Sequence, residues 1–271
     1  MSTYFVGDVH GCFYQLQNLL KKVNFNIKQD IIWFTGDLVA RGPDSLNVIK
    51  LIYSLGIHAR VVLGNHDLNL LAVHAGIRKY QISDNFIDLL ESSDIDIFIN
   101  WLRNCPILIV DQNKKILMSH AGIFPYWNIS TAIKYANKIE KQLIGPNYID
   151  FLSNIYGDFP DSWNSQLNEI DQLRFSMNVF TRMRYCLMNG KLDFSCKSAP
   201  KLKLKNLIPW FLMKNQLFLE DYTVIFGHWS TLRGFKTPKN IISLDTGCCW
   251  GNELSMLRWE DQIYFKESFY H

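Results

Sequence analysis

Short apolar runs alternate with amphipathic segments along the first half of the chain. The apolar runs are rich in β-branched and aromatic residues, and each is short enough to be a buried strand. Together with one later run, they occupy residues 4–6, 31–34, 60–63, 116–118 and 223–226. Between the early runs, apolar positions recur at helical spacing in FYQLQNLLKKV, LNVIKLIYSL and HDLNLLAVHAG. The alternation predicts strands and helices arranged in layers, which is an α/β fold.

The pattern changes after His120. Residues from 125 to about 220 contain helix-like stretches such as STAIKYANKIEKQL, several tryptophans, and connections rich in Pro or Lys. Strand-like segments resume at Tyr222 and continue through IISLDTG, SMLRWED and QIYFKE. We therefore expect one domain over residues 1–271, with a largely helical cap inserted at about residues 125–220.

The composition is that of a globular protein. Of the 271 residues, 48% are hydrophobic and 20% are charged. A formal net charge of +3 is too small to indicate a DNA partner, because nucleic-acid binders concentrate basic residues on one face. The dense basic tract KLKLK at 201–205 is interpreted as a solvated surface segment.

Sequence signals for export, membrane insertion and thiolate chemistry are missing. The first residues, MSTYFVGDV, lack the charged and apolar regions of a signal peptide, and no apolar stretch is long enough to span a bilayer. We expect a cytoplasmic protein with no membrane partner. The six cysteines include no CxxC pair, so we expect them to be reduced and mostly buried.

The segment GDVHG at 7–11 follows the first apolar run and places Asp8 and His10 two positions apart. An aspartate and a nearby histidine can present an oxygen and a nitrogen ligand to one cation. The alternative is a polar turn in which Asp8 caps the helix predicted in FYQLQNLLKKV. This segment alone favours the turn. A metal site would need further ligand residues elsewhere in the chain.

The other predicted strands are also followed by side chains that can bind a metal. These segments are GDLVARG at 36, GNHD at 64, SHAG at 119 and GHW at 227. Chance is a poor explanation for ligand-type residues at five strand ends, where α/β sheets form their sites. The candidate ligands are Asp8, His10, Asp37, Asn65, His120 and His228. They are too many for one tetrahedral zinc and predict two metal ions bridged by one carboxylate, for which Asp37 is the candidate.

The ordered series GDVHG, GDLVARG, GNHD, HAG and GHW resembles the calcineurin-like metallophosphoesterases, which include the phosphoprotein phosphatases. Within that superfamily, the bacterial symmetrical diadenosine tetraphosphatases are the group that the chain resembles most, through GDLVARGPDSL, LGNHDLNLLAVHAGI, NVFTRMRYC, FGHW and LDTGCCWG. This similarity extends from about residue 3 to residue 265. It implies the four-layer αββα sandwich of the superfamily.

The resemblance also implies a role for each matching residue. It assigns one metal ion to Asp8, His10 and Asp37, and a second to Asp37, Asn65, His120 and His228. It makes His66 a general acid or a donor to the transition state, oriented by Asp67, and it places Arg41 on a phosphate.

The reaction implied by the resemblance is symmetrical hydrolysis of diadenosine tetraphosphate to two ADP. A hydroxide activated by two metal ions would attack a phosphorus in line. Mixed His, Asn and Asp ligands suit manganese or cobalt, with iron or zinc as alternatives, better than magnesium. Other dinucleoside polyphosphates, and RNA capped with a nucleoside tetraphosphate, are further candidate substrates because they contain the same linkage.

Arg182 and Arg184 in FTRMRYC are candidates for substrate binding. An extended backbone would place both guanidinium groups on one side, where they could hold a polyphosphate. A helix would separate them and leave two solvated arginines. Asp245 in LDTG either supports a site ligand or begins a turn, and the sequence does not decide between these roles.

The remaining histidines and aromatic residues are assigned to structure. His58, His74 and His271 lie outside the motifs and have no evident partners. The aromatic residues at 126, 127, 163, 210 and 229 could stack on adenine, but core packing is the commoner role in an aromatic-rich chain.

Two other functions are open on the residues alone. A serine/threonine-type protein phosphatase would use the same dinuclear site, and a non-catalytic scaffold would keep only the fold. A scaffold has no need of the full ligand series together with His66 and Arg41. The arginines of FTRMRYC and the insertion favour a nucleotide over a phosphoprotein. The sequence does not indicate an oligomeric state.

Overall fold

The computed structural model describes residues 1–200, 206–213 and 222–269. The strands are β1 (Thr3–Val6), β2 (Ile31–Phe34), β3 (Ala59–Val61), β4 (Leu108–Asp111), β5 (Ile116–Ser119), β6 (Tyr185–Leu187), β7 (Leu192–Asp193), β8 (Leu207–Pro209), β9 (Thr223–Phe226), β10 (Ile241–Ser243), β11 (Glu253–Arg258) and β12 (Ile263–Ser268). The α-helices are α1 (Phe13–Lys22), α2 (Ser45–Ser54), α3 (Asn65–His74), α4 (Ile87–Leu90), α5 (Ile95–Arg103), α6 (Ile129–Ile144), α7 (Tyr148–Ile155) and α8 (Glu169–Arg182). The basic tract at 201–205 and His271 lie outside the described residues.

Two mixed sheets form the centre of the molecule. The first has the strand order β12-β11-β1-β2-β3, in which β1, β2 and β3 are parallel and β11 is antiparallel to both of its neighbours. The second has the order β10-β9-β5-β4, in which β5, β9 and β10 are parallel and β4 is antiparallel. The loops after the parallel strands carry the motifs singled out in the sequence.

A compact apolar cluster lies between the two sheets. Its members alternate along their strands, as one face of a sheet requires. The first sheet contributes Phe5, Trp33 and Leu257, and the second contributes Ile116, Met118, Ile225 and Ile242. The two sheets therefore pack face to face.

The outer faces of the sheets pack in a second, larger cluster together with the helices. Tyr4 and Val6 alternate with Phe5 along β1, and Val224 and Phe226 alternate with Ile225 along β9. Because both faces are buried, each of these strands is apolar after its first residue, a threonine. Helices on the outer faces of two facing sheets are the four layers expected from the sequence, and the α/β sandwich is confirmed.

The predicted early elements lie close to the observed ones. The strands at 31–34 and 223–226 have the predicted bounds, and the third strand ends two residues early, at Val61. Helices α6, α7 and α8 lie in the chain between β5 and β9. They are followed by an antiparallel sheet of order β7-β6-β8 that the pattern does not predict, because its strands are only two or three residues long. In the described part of the chain, no helix is long and apolar enough to cross a membrane.

Candidate metal centre

The loops after β1, β2, β3, β5 and β9 bring their polar side chains together around Asp37. Its Oδ2 lies 3.5 Å from His10 Nε2 and 3.3 Å from His120 Nε2. Two groups of closely spaced ligand atoms share this carboxylate. One adds His10 and His66, and the other adds His120 and His228. Asp37 thus has the position that a carboxylate bridging two ions needs.

Backbone carbonyls determine which nitrogen of each histidine is free. His10 Nδ1 lies 3.1 Å from the Val39 carbonyl oxygen, and His120 Nδ1 lies 2.8 Å from the Thr35 carbonyl oxygen. His228 Nε2 lies 3.1 Å from the carbonyl oxygen of Arg182. A ring nitrogen that faces a carbonyl carries the hydrogen, so the opposite nitrogen keeps a lone pair. The histidines are therefore oriented as metal ligands are.

The charges of the site fit divalent cations. Asp8, Asp37 and Asp245 are buried close together. Burial lowers the pKa of His120, but the Asp37 and Asp8 carboxylates outweigh this effect and raise it to about 10. Burial also raises the pKa of Asp8, and the charge of Asp245 raises it further. A cation would balance this excess of negative charge.

Asp8 is held by two hydrogen bonds. Thr35 Oγ1 donates to its Oδ1 at 2.9 Å, and the backbone N–H of His228 donates to its Oδ2 at 2.8 Å. Helix α1 begins after Cys12 and has no side-chain cap. The capping role considered for Asp8 is therefore wrong. Asp8 belongs to neither group of closely spaced ligand atoms among the described residues, so its role as a ligand stays a prediction.

The loop backbones are strained and closely packed at the site. His10, Asp37 and His228 have left-handed backbone angles, with φ of 47°, 49° and 62°. Such conformations are costly without glycine and cluster at functional sites. A Cβ at Gly227 would lie 1.8 Å from Asp8 Oδ1, and one at Gly64 would lie 2.1 Å from Asp37 Oδ1. Both carboxylates need a neighbour without a side chain.

Asn65 begins α3 and lies beside His228. Its amide orientation follows from the hydrogen-bond network. With the amide nitrogen toward His228, it donates to Nδ1 at 3.0 Å and to the carbonyl oxygen of Thr181 at 3.1 Å. This contact brings together two of the residues predicted to share an ion.

His66 follows Asn65 and faces the ring of His10 with 5.0 Å between ring centroids. Its Nδ1 is buried and has no hydrogen-bond partner among the described residues. Burial lowers the pKa of His66 to about 4. Whether neutral or protonated, the ring can offer an N–H to a group bound in the cavity.

Asp67 does not orient His66 in the way that the resemblance implies. Its carboxylate accepts from the backbone N–H groups of Asp37, Leu38 and Gly64 at 2.8, 2.9 and 2.9 Å, and no hydrogen bond joins it to the His66 ring. The reason is its position three residues after the N-cap of α3, where an acidic side chain turns back to the free N–H groups of the helix start. Asp67 instead fixes the loop that carries Asp37.

A cavity of about 730 Å³ opens over these groups and is lined by three arginines, Arg41, Arg182 and Arg184. Helix α8 ends at Arg182, and Met183 is extended with φ −64° and ψ 135°. Because the helix ends between them, both arginines line the same cavity. The segment is thus neither the continuous strand nor the continuous helix considered from the sequence. Arg184 Nη2 donates to the His228 carbonyl at 2.9 Å.

Asp245 has one of the two roles considered for it, the turn, and its support of a site ligand stays a prediction. Its Oδ1 accepts from the Gly247 N–H at 2.9 Å, which makes a turn, and the residue also lines the cavity. Sequence reasoning missed Phe194 and Trp250 in the cavity wall. Trp250 is 62% exposed. In the sequence, the position of Trp250 within LDTGCCWG is the one available signal.

The aromatic residues considered for adenine stacking mostly pack in the core. Trp127, Trp210 and Trp229 are buried, and of these only Trp229 lines the cavity. Trp163 packs on Trp127 with 5.0 Å between ring centroids, and the Tyr126 hydroxyl donates to a carbonyl. All six cysteines are free thiols, and four are buried.

Two of the remaining histidines have partners, contrary to expectation. His58 Nδ1 lies 3.2 Å from the Asp30 carbonyl oxygen, and His74 Nε2 lies 3.2 Å from Asp96 Oδ1. Both contacts join elements of the fold away from the cavity, which agrees with a structural role.

Two facing sheets whose loops carry His, Asp and Asn donors around a shared aspartate are the arrangement of a metal-dependent phosphoesterase. The model of the calcineurin-like phosphoesterase family matches residues 1–166, and the chain belongs to that family. Membership implies divalent metal ions, for which the two groups around Asp37 are candidate ligands.

More particularly, the chain is similar to curated enzymes named symmetrical bis(5'-nucleosyl)-tetraphosphatase. It is 52% identical to that of Proteus mirabilis (strain HI4320) over 98% of this chain and 97% of the relative. It is also 52% identical to that of Buchnera aphidicola subsp. Baizongia pistaciae, over the same shares. A solved protein serine/threonine phosphatase from Saccharomyces cerevisiae has the same fold, with a TM-score of 0.53 and 16% identity over 100% of this chain and 80% of that one.

Proposed function

We propose that the protein hydrolyses diadenosine tetraphosphate symmetrically to two ADP. The observation that carries this proposal is one cavity in which the ligand groups around Asp37 face Arg41, Arg182 and Arg184. A chain of four phosphates needs both features, because charge lies on every phosphate and not only on the one attacked. The names of relatives 52% identical over nearly the whole chain support the same substrate.

The metal ligands in this proposal are those predicted from the sequence. They are Asp8, His10 and Asp37 for one ion, and Asp37, Asn65, His120 and His228 for the other. Manganese or cobalt suits this mixed set, with iron and zinc as alternatives. When bound, such ions activate water and neutralise charge on phosphoryl oxygens.

The remaining residues bind and orient the substrate. Arg41 Nη1 donates to the Ser83 carbonyl at 2.8 Å, which fixes the side chain while leaving other donors for a phosphate. Arg182 and Arg184 hold the phosphates beyond the one attacked. His66 donates a hydrogen to the oxygen of the departing ADP.

Product analysis tests the reaction. The protein is stripped with a chelator, reloaded with manganese or cobalt, and incubated with diadenosine tetraphosphate in heavy-oxygen water. We expect two ADP, one of them carrying one heavy oxygen, and no turnover before reloading. ATP and AMP as products would reject the symmetrical reaction. Turnover of a phosphopeptide without turnover of the dinucleotide would indicate a protein phosphatase instead.

RNA with a nucleoside-tetraphosphate cap is a second proposed substrate, because the same linkage joins the cap to the chain. The exposed side chain of Lys197 lines the cavity and offers a cation to a longer polyanion. Release of a nucleoside diphosphate from capped RNA by the reloaded protein would support this, and intact RNA would reject it.

Replacing Arg182 with alanine is expected to affect long substrates selectively. Arg182→Ala should lower kcat/KM on diadenosine tetraphosphate by about 10- to 100-fold. This is the loss in rate expected when one hydrogen bond to a charged group is removed from the transition state. The loss on p-nitrophenyl phosphate should stay below about threefold, because a single phosphate does not reach this residue. Arg184→Ala should show the same selectivity. Steady-state kinetics on both substrates measure the difference.

Arg258→Ala is the matched control, since Arg258 pairs with Asp261 on the β11–β12 hairpin and does not line the cavity. It should leave both substrates unchanged. Equal losses on both substrates for Arg182→Ala would indicate damage to the metal centre and remove Arg182 from substrate binding.

A further inference from the structure

A second cavity of about 440 Å³ adjoins the first one. Its volume lies in the range of about 300–1,000 Å³ that small-molecule sites occupy. The residues that line both cavities form their common border. They are Arg41, Asn65, His66, Asp158, Arg182 and Lys197. The metal donors His10, Asp37 and His228 line the first cavity and not the second.

The second cavity differs from the first in chemistry. Among polar neighbours, its lining includes the apolar side chains of Leu68, Leu152, Ile155 and Met177, which the first cavity lacks. Apolar side chains next to polar groups suit an organic ring system better than phosphates alone. The first cavity is lined by the metal-ligand side chains and arginines together with Phe194, Trp229 and Trp250.

One wall of the second cavity is held in place by its own contacts. The Tyr156 hydroxyl donates to the Leu68 carbonyl at 3.0 Å, and the Arg78 guanidinium lies 5.0 Å from the centre of the Tyr156 ring. The Asn178 amide donates to the Gly157 carbonyl at 2.8 Å. These contacts make a wall that is formed before any ligand arrives.

Asn69 is one polar group of this cavity that is free for a ligand. It is half-buried on α3, and its side-chain amide makes no hydrogen bond to any residue in the described ranges. The two carboxylates of the cavity are engaged: Asp158 pairs with Arg182 at 2.8 Å, and Asp84 accepts from the backbone of Gln81 at 3.1 Å. An amide can donate to and accept from the edge of a base.

We propose that the second cavity binds the nucleoside of the departing half of the substrate. The proposal rests on the proposed function. His66 lies on the border, where it would meet the oxygen that leaves, and the second cavity lies beyond it, away from His10, Asp37 and His228. The arginines of the border hold the phosphates. The base lies against the apolar side chains of the lining, and the free amide of Asn69 contacts its edge.

Filling the cavity tests this assignment. Asn69→Trp places a large side chain in the cavity at a half-buried helix position, so the fold should persist. We expect kcat/KM on diadenosine tetraphosphate to fall about tenfold or more. We expect less than about a threefold change on p-nitrophenyl phosphate, which carries no nucleoside. Inhibition of the aryl phosphate reaction by inorganic tetraphosphate should also be unchanged, because the phosphates bind at the border.

The control is Asn100→Trp, the same change at an exposed position of α5 that lines neither cavity. It should leave all three measurements unchanged. An unchanged rate on the dinucleotide for Asn69→Trp would overturn the assignment. Weakened inhibition by inorganic tetraphosphate would also overturn it, since the cavity would then hold phosphates. Failure of the wild-type protein to hydrolyse the dinucleotide would instead reject the proposed function itself.

Discussion

Asp37→Asn is expected to lower kcat/KM on diadenosine tetraphosphate by about a thousandfold or more. The Asp37 Oδ2 lies within 3.5 Å of the free nitrogens of both His10 and His120, so one atom serves both ligand groups. An amide removes the negative charge and replaces one ligand oxygen with a donor nitrogen. Both proposed ions should therefore bind more weakly. Kinetics and metal content, measured on the same preparations, give the result.

Asp44→Asn provides the matched control for this variant. Asp44 is the N-cap of α2 and accepts from the Asn47 N–H at 3.1 Å, a role that asparagine fills equally well. Its activity and metal content should match those of the wild type. If Asp37→Asn kept two ions per chain and a tenth or more of the activity, Asp37 would not be the bridge.

The fold could be predicted because its strands are buried on both faces. Residues 4–6, 31–34 and 223–226 are predominantly apolar at successive positions instead of alternating with polar ones. This pattern is typical of a strand that is covered by packed layers on both faces. The position of the site could be predicted from the residues that follow these strands, because the loops after parallel strands lie at the same edge of the sheet. Strand β7 carries no such signal, because two residues are too few for a period to show.

The details of the site depend on contacts that no spacing reveals. The motif GNHD puts Asp67 directly after His66, which suggests that one side chain orients the other. In the structure, the Asp67 carboxylate accepts from backbone N–H groups at the start of α3 instead. Arg182 and Arg184 share a cavity because a helix ends between them, and helix ends are uncertain by one or two residues in any sequence pattern. The second cavity combines residues from several helices and could not be read from one motif.

His66→Asn is expected to depend on the leaving group. Departing ADP leaves as a phosphate whose last proton has a pKa of about 6, judged from phosphate monoesters, so it needs less protonation than an alkoxide. We expect a loss of about 10- to 100-fold on diadenosine tetraphosphate. The loss on an alkyl phosphate should be at least about tenfold greater, because a poor leaving group must receive a proton. The measurement is kcat/KM on both substrates, with metal content checked.

The position of His66 fits this role, because its Nδ1 has no hydrogen-bond partner among the described residues and the residue lines the cavity. His58→Asn is the control, since His58 contacts the Asp30 carbonyl away from the cavity and should not discriminate between the substrates. A greater penalty for His66→Asn on the dinucleotide than on the alkyl phosphate would exclude general acid catalysis. His66 would then act by donating a hydrogen bond to charge that develops in the transition state, a role in which the leaving group's basicity has no part.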